Sequence, residues 1–469
     1  MTSSTTLFEK IWDQHVVADL GEGRALIHID RHVLQEVTSL QAFEALRKRK
    51  LPVHSLGLTY AVIDHSVSTM PGRTAASYEP TRERIEAMQQ NCRDFAIDLF
   101  DIDDPEQGIV HVISPELGIT LPGSTLVCAD SHSATSGGLG AWAWGIGTTQ
   151  VLQVLATQTL IQKKPKTMRV DFRGSIGPGV FAKDLVLFLI GRHGIAAGTG
   201  FVVEYAGPVI RAMPVEGRMT ICNMSIEFGA RSGLVAVDDT TLQYLSGRRY
   251  VPTGATWDKA AGSWRQLRSD PQAKFDREIE IDCSAVRPQI SWGTTPQDVI
   301  AVDEPIPTPA SVSDPERRRA IERALAYMDL TPGKPIDGVP IDVAFIGSCT
   351  NSRLSDLEEA AAVIRGRKVP EGVQALVVPG STQVKAAAEA KGLDRVFRDA
   401  GFEWRESGCS LCVATNGDLV PPGKRSISTS NRNFENRQGP GSRTHLASPA
   451  MVAAAAVTGR ITDVRKLYR

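Results

Sequence analysis

"IDVAFIGSCTNS" (341–352) joins two kinds of sequence. Its first half is an unbroken apolar run, Val, Ala, Phe and Ile, as in a strand covered on both faces. Its second half is small and polar and carries one thiol, Cys349. "LSDLEEAAAVIRGR" (354–367) follows with helical spacing, then "VQALVVPGS" (373–381) as a second strand and a helix from about 382 to 400. Strand alternating with helix predicts a parallel sheet in an α/β fold. In such sheets ligand sites gather at the carboxyl ends of the strands, where Cys349 stands.

The same rhythm extends toward the N-terminus. "TLVCADSH" (125–132) reads as a buried strand running into polar residues, and "TTQVLQVLATQTLI" (148–161) as a helix. "MRVDFRG" (168–174) and "FVVEYAG" (201–207) are strands on either side of "FAKDLVLFLIGRHG" (181–194), a helix ended by glycine. The proline-rich, charged stretch "DEPIPTPASVSDPERRR" (303–319) reads as a linker. Near the end, Ser-Pro opens a helix in "SPAMVAAAAVTGR". There is no internal repeat.

Composition bounds the rest. The 469 residues are enough for several cores, and 42% hydrophobic with 22% charged residues is ordinary for a soluble globular protein. A formal net charge of −1 offers no basic excess for nucleic acid or an anionic membrane. The first residues lack a signal-peptide core, and no apolar run reaches membrane-span length, so a cytoplasmic protein is expected.

Sixty residues beyond Cys349 comes "GCSLC" (408–412), with Cys409 and Cys412. One lone cysteine and one CxxC pair make three thiols, where a structural zinc needs four ligands and a disulfide two. No second CxxC exists, and the nearest downstream histidine, His445, is thirty-three residues past Cys412. Zinc, a redox pair, unligated thiols and an iron–sulfur cluster all remain open from spacing alone. For a 4Fe–4S cube, three thiolates would leave one iron without a protein ligand, a Lewis acid open to a substrate oxygen. The remaining cysteines, Cys92, Cys128, Cys222 and Cys283, read as small buried hydrophobes.

"FIGSCTNSR" with "GCSLC" sixty residues on resembles the aconitase superfamily. The likeness runs along nearly the whole chain. "LIHIDRHVLQEVTSLQAF" (26–43), "IDHSVST" (63–69), "CADSHSAT" (128–135), "GRMTICNMSIEFGA" (217–230) and "STSNRNFENRQG" (428–439) are similar to the large subunits of the 3-isopropylmalate dehydratases. The resemblance implies three aconitase-like α/β domains, at 1–165, 166–297 and 298–469, around a cleft holding one 4Fe–4S cluster. Its implied ligands are Cys349, Cys409 and Cys412, in the third domain, with one iron lacking a protein ligand.

Other residues gain roles from the resemblance that they would not carry alone. Asp64-His65, by itself a surface pair or capped turn, becomes an acid dyad whose carboxylate orients the imidazole to protonate a departing hydroxyl. His111 in "GIVHVI" would otherwise be a core or strand-edge histidine, and Glu227 a helix-surface acid. The likeness places His111, Asp130, Ser131 and His132 near the iron-bound oxygen and gives Glu227 a catalytic and Asn223 a substrate-binding position. Asn431, Arg432 and Arg437 match substrate-binding positions, and guanidinium forks suit a dicarboxylate.

Four positions depart from the family pattern: Ser136 replaces a histidine, Gln150 and Gln153 replace Glu and His, and Asn436 replaces glycine in "NFEGR". The full-length aconitase fold has a fourth, swivelling domain that supplies a serine base. None is evident here, and a separate small subunit is the expected partner. The activity implied is isomerisation of 2-isopropylmalate to 3-isopropylmalate by dehydration and rehydration in leucine biosynthesis. The alternatives are the same chemistry on a dimethylmalate- or citramalate-type acid, or an apo-protein that binds RNA, which the near-zero charge disfavours.

Overall fold

Uninterrupted apolar segments of this chain become the inner strands of parallel sheets. In the computed structural model, which describes residues 4–468, Val343–Ile346 is buried at all four positions. It pairs in parallel with Gln374–Val377 on one side and Arg425–Ser428 on the other. Glu403–Trp404 and Arg443–Leu446 complete this five-stranded sheet. The helix Leu354–Ile364 packs against Pro449–Thr458, which also lies on Val343–Ile346. Pro449–Thr458 is alanine-rich and buried from Pro449 to Ala456, so close packing needs no large side chain.

A second five-stranded parallel sheet runs in the order Asp98–Phe100, Thr59–Val62, Arg31–Gln35, Thr125–Cys128, Trp142–Gly145. A four-stranded parallel sheet is formed by Ser232–Val235, Phe201–Ala206, Lys166–Arg173 and Arg277–Asp282. Two small antiparallel sheets are the exceptions, Val16–Gly21 with Arg24–His28 and Thr159–Lys163, and Gln289–Ser291 with Val299–Ala301. The chain groups into two compact units. The first holds residues up to 67, 73–174 and 196–282; the second holds 68–72, 175–195 and 283 onward. The first unit has an apolar core that includes Phe43, Trp142 and Trp144, the last two stacked with ring centroids 4.1 Å apart. The second has a smaller cluster around Phe345, Leu376 and Leu411.

The α/β reading holds, with local corrections. The helix expected over 148–161 ends at Thr157. Gln158 turns left-handed, with φ 55°, and Thr159–Lys163 is a strand whose residues alternate between inside and outside. The stretch 303–319 is not all linker: Pro315–Met328 is a helix, begun by Asp314, whose side chain accepts from the Glu316 amide at 3.0 Å, and by proline in its first turn. The helix expected over 382–400 is two, Thr382–Ala390 and Leu393–Ala400, separated at Gly392 with φ +71°. His111 lies on a helix, Val110–Glu116, and not on a strand.

Candidate active site

Three adjacent parallel strands of the first unit end in acidic or basic groups. Arg31–Gln35 leads to Glu36, Thr59–Val62 to Asp64 and His65, and Thr125–Cys128 to Asp130. Strand order alone therefore brings these side chains to one edge. Glu36 is fully buried and accepts from three successive amides, those of Asp64 (3.2 Å), His65 (2.8 Å) and Ser66 (2.5 Å). Asp64 is also fully buried, and its second oxygen accepts from the Val110 amide at 2.9 Å. His65 lies between two carboxylates, with Nδ1 2.5 Å from Asp64 and Nε2 3.2 Å from Asp130.

Asp130 is the hub of this network. It caps the 3-10 turn Ser131–Leu139 through the His132 amide at 2.8 Å, and its carboxylate also meets His111 Nε2 at 2.8 Å. Burial alone would raise its carboxyl, but the charge and hydrogen bond of His111, with those to His132 and His65, hold it well below the usual range. Burial pushes the Glu36 carboxyl up, and the negative charge of Asp64 adds to this. On the far side, His132 Nε2 meets the buried Glu227 at 3.0 Å. Glu227 lies beyond the helix Val215–Asn223 and is not a surface residue. Asn223, fully buried, donates to Thr135 Oγ1 at 2.8 Å, and Thr135 in turn donates to the His132 carbonyl. Ser131 Oγ is 3.4 Å from His132 Nδ1. The first unit thus gathers Asp64, His65, His111, Asp130, Ser131, His132, Asn223 and Glu227 into one network.

The second unit gathers the thiols. All seven cysteines of the chain are buried, and none is in a disulfide. Cys349 follows Val343–Ile346 through Gly347 and Ser348, the latter left-handed at φ 77°. A Cβ on Gly347 would stand 2.4 Å from the Phe345 ring, so this turn requires glycine. Arg353, nearly buried, donates to the carbonyls of Cys349 (3.1 Å) and Thr350 (3.3 Å) and fixes the loop from below. Cys409 and Cys412 flank one 3-10 turn, closed by the Cys412 amide on the Cys409 carbonyl at 3.0 Å. Ser410 and Thr69 both donate to Asp418, at 2.7 and 2.8 Å, which anchors that turn.

Asn431 links the two cysteine loops. Its amide nitrogen is 3.6 Å from Cys349 Sγ and its oxygen 3.8 Å from Cys412 Sγ, while Ser348 Oγ is 3.2 Å from Cys412 Sγ. Three buried soft thiols, none in a disulfide and two of them bridged by one polar side chain, fit a thiolate-held iron–sulfur group. Arg432 and Arg437 are half-buried on the same segment. Arg437 stacks over Phe434 at 5.2 Å, and its buried Nε has no hydrogen-bond partner among the described residues.

The departures from the family pattern have local explanations at three of the four positions. Asn436 has φ 65°, a conformation that favours glycine and next asparagine, and its side chain accepts from the Gly441 amide at 2.7 Å. Ser136 is buried and pairs with Thr120 at 3.0 Å. Gln150 accepts from the Gly147 amide at the start of Thr148–Thr157; nothing in the structure explains Gln153. Sequence reasoning passed over Glu36, Lys183 and Arg353. Each had a signal: a charged side chain beside a segment that otherwise reads as buried.

The aconitase family model (aconitate hydratase) matches residues 9–459. The 3-isopropylmalate dehydratase large subunit 1 of Bradyrhizobium diazoefficiens is 57% identical over 468 residues, covering 100% of this chain and 98% of that protein. Among solved structures, the holo-form of aconitase X from Thermococcus kodakaraensis aligns with a TM-score of 0.47 and 13% identity, over 87% of this chain and 84% of that one. With a family model matching almost from end to end and a relative this similar over its full length, the chain belongs to the aconitase family.

Proposed function

We propose that this chain is the large subunit of a 3-isopropylmalate dehydratase, a hydro-lyase that isomerises 2-isopropylmalate to 3-isopropylmalate in leucine biosynthesis. The full-length relative bears that name, and a large subunit implies a small one. The observation that carries the chemistry is His65, held between Asp64 and Asp130. With Nδ1–H bound to Asp64, its Nε2 holds the proton that passes to a departing hydroxyl. Asp130, fixed by His111 and His132, keeps the ring in place, and Glu227 fixes His132 in turn.

Cys349, Cys409 and Cys412 would hold one 4Fe–4S cluster, as membership of the family implies in general. When bound through three thiolates, such a cluster has one iron without a protein ligand and supplies Lewis acidity toward substrate oxygen. Arg432 and Arg437 bind the substrate carboxylates, and the Nε of Arg437, which has no partner among the described residues, leaves a donor for one of them. Ser131, Asn223 and Asn431 complete the substrate contacts. No helix among the described residues is long and apolar enough to cross a membrane, and we assign the enzyme to the cytoplasm.

The test is anaerobic reconstitution with iron and sulfide, followed by turnover of 2-isopropylmalate with the small subunit added or withheld. Turnover that needs both chains supports the reading. Full turnover by this chain alone, or none with 2-isopropylmalate while a dimethylmalate or citramalate reacts, would replace it.

A further inference from the structure

A charge that the proposed mechanism does not use lies beside the cysteine loops. Lys183 is in the first turn of the helix Ala182–His193, and it is fully buried. Its ammonium donates to the Thr429 carbonyl and, at 2.7 Å, to the Ser430 carbonyl. Among the described residues it has no carboxylate at ion-pair distance. A buried cation held only by main-chain carbonyls is costly, and a neutral side chain of similar length would pack in the same space. The charge therefore calls for a further partner.

Its two acceptors show where that partner would be. Thr429 exchanges hydrogen bonds with Gly347, receiving from its amide and donating to its carbonyl, both at 2.8 Å. The next residue after Ser430 is Asn431, the side chain that spans Cys349 and Cys412. Lys183 thus grips the segment that sets the spacing of the cysteine loops. Burial pushes its ammonium down to about 7, and Asp356, Cys412, Asp184 and Cys349 act against that shift. Two of those four neighbours are the thiols themselves.

We propose that Lys183 is a positioning residue for the iron–sulfur cluster: it pins Thr429–Asn431 and provides the buried positive charge that complements the metal-bound thiolates. The inference rests on the reading that Cys349, Cys409 and Cys412 hold the cluster. It assigns Lys183 no contact with substrate. A fixed cation near a cluster favours the reduced, more negative form, so removing it should make reduction harder.

The experiment compares wild type with Lys183→Met after anaerobic reconstitution, reading iron per chain, the rate of iron loss to a chelator, and the midpoint potential by EPR-monitored titration. Thermal melting of the chains before iron is added reports folding. The variant should fold, lose iron at least tenfold faster, and show a reduction equilibrium about tenfold less favourable, 59 mV for a one-electron couple. A folded variant with wild-type iron retention and potential overturns the proposal. Should Lys183→Met not fold, Lys183→Gln keeps donors for the carbonyls without the charge, and the same shift in potential is expected. If neither neutral variant folds before iron is added, Lys183 belongs to the fold itself, and the proposal is again overturned. Wild-type chain that takes up no cluster would instead overturn the underlying cysteine assignment.

Discussion

At the scale of single residues, the site works by giving each imidazole a carboxylate. His65→Gln should lower kcat by roughly 10²–10⁴-fold, the span of one acid–base group, while iron content stays at the wild-type value. Wild-type turnover in that variant would remove His65 from the proton path. His32 presents the opposite case. It is fully buried in the strand Arg31–Gln35, and neither ring nitrogen has a hydrogen-bond partner among the described residues. Burial pushes its imidazole down from 6.5 to about 3. The unfolded chain takes up this proton near 6.5 and the folded chain does not, so the stability His32 allows is full above 6.5 and is lost as pH falls toward 3. His32→Leu should gain on wild type by about 1.4 kcal/mol for each pH unit descended through that window, read from denaturation midpoints. A constant difference across the window would contradict the neutral buried form. The resemblance named the pairing of Asp64 with His65, but the contact of His65 with Asp130 and the setting of His32 were not legible beforehand, because they are set by neighbouring strands. The three cysteines stood out by motif, but their spacing alone left zinc, a redox pair, unligated thiols and a cluster open, and only the resemblance chose among them.

At the scale of elements, the strand ends were read well and the turns poorly. Apolar runs such as Val343–Ile346 announce themselves, since burial on both faces leaves no polar residue in them. The stop at Thr157 did not, because Gln158 takes a left-handed φ that its residue type does not advertise and is held by its side chain on the Ile29 carbonyl at 2.7 Å. Asn436 shows how such a turn can be tested. Asn436→Ala should cost about 1–2 kcal/mol from the left-handed backbone, seen as a lower thermal midpoint, whereas Asn436→Gly should stay close to wild type. Equal midpoints for the two would mean that the turn relaxes to another conformation. Glu36 is the element-scale surprise. One side chain caps the three amides after Ile63, and only the pairing of Arg31–Gln35 with Thr59–Val62 brings it there.

At the scale of the molecule, α/β class and parallel sheets followed from the alternation of strands and helices, but the grouping into units did not, because it depends on segments distant in sequence. The second unit takes in 68–72 and 175–195 as well as everything from 283. A fragment of residues 283–469 would carry Cys349, Cys409 and Cys412 and still lack the helix that bears Lys183. It should take up far less iron than the whole chain under identical anaerobic conditions, and iron uptake equal to the full chain would show that the late segment is self-sufficient. The same discontinuity has a consequence for biosynthesis. The first unit is complete once Asp282 has left the ribosome, whereas Asn431 and the strand Arg443–Leu446 come almost last. The helix Ala182–His193 waits only for Gln289–Ser291 and Val299–Ala301, the strands it packs against, while the carbonyls that Lys183 holds, those of Thr429 and Ser430, arrive late. On the proposed reading, cluster delivery belongs late in synthesis: a nascent chain stalled before residue 431 lacks the side chain that spans the two cysteine loops, and an iron donor would meet an unfinished pocket.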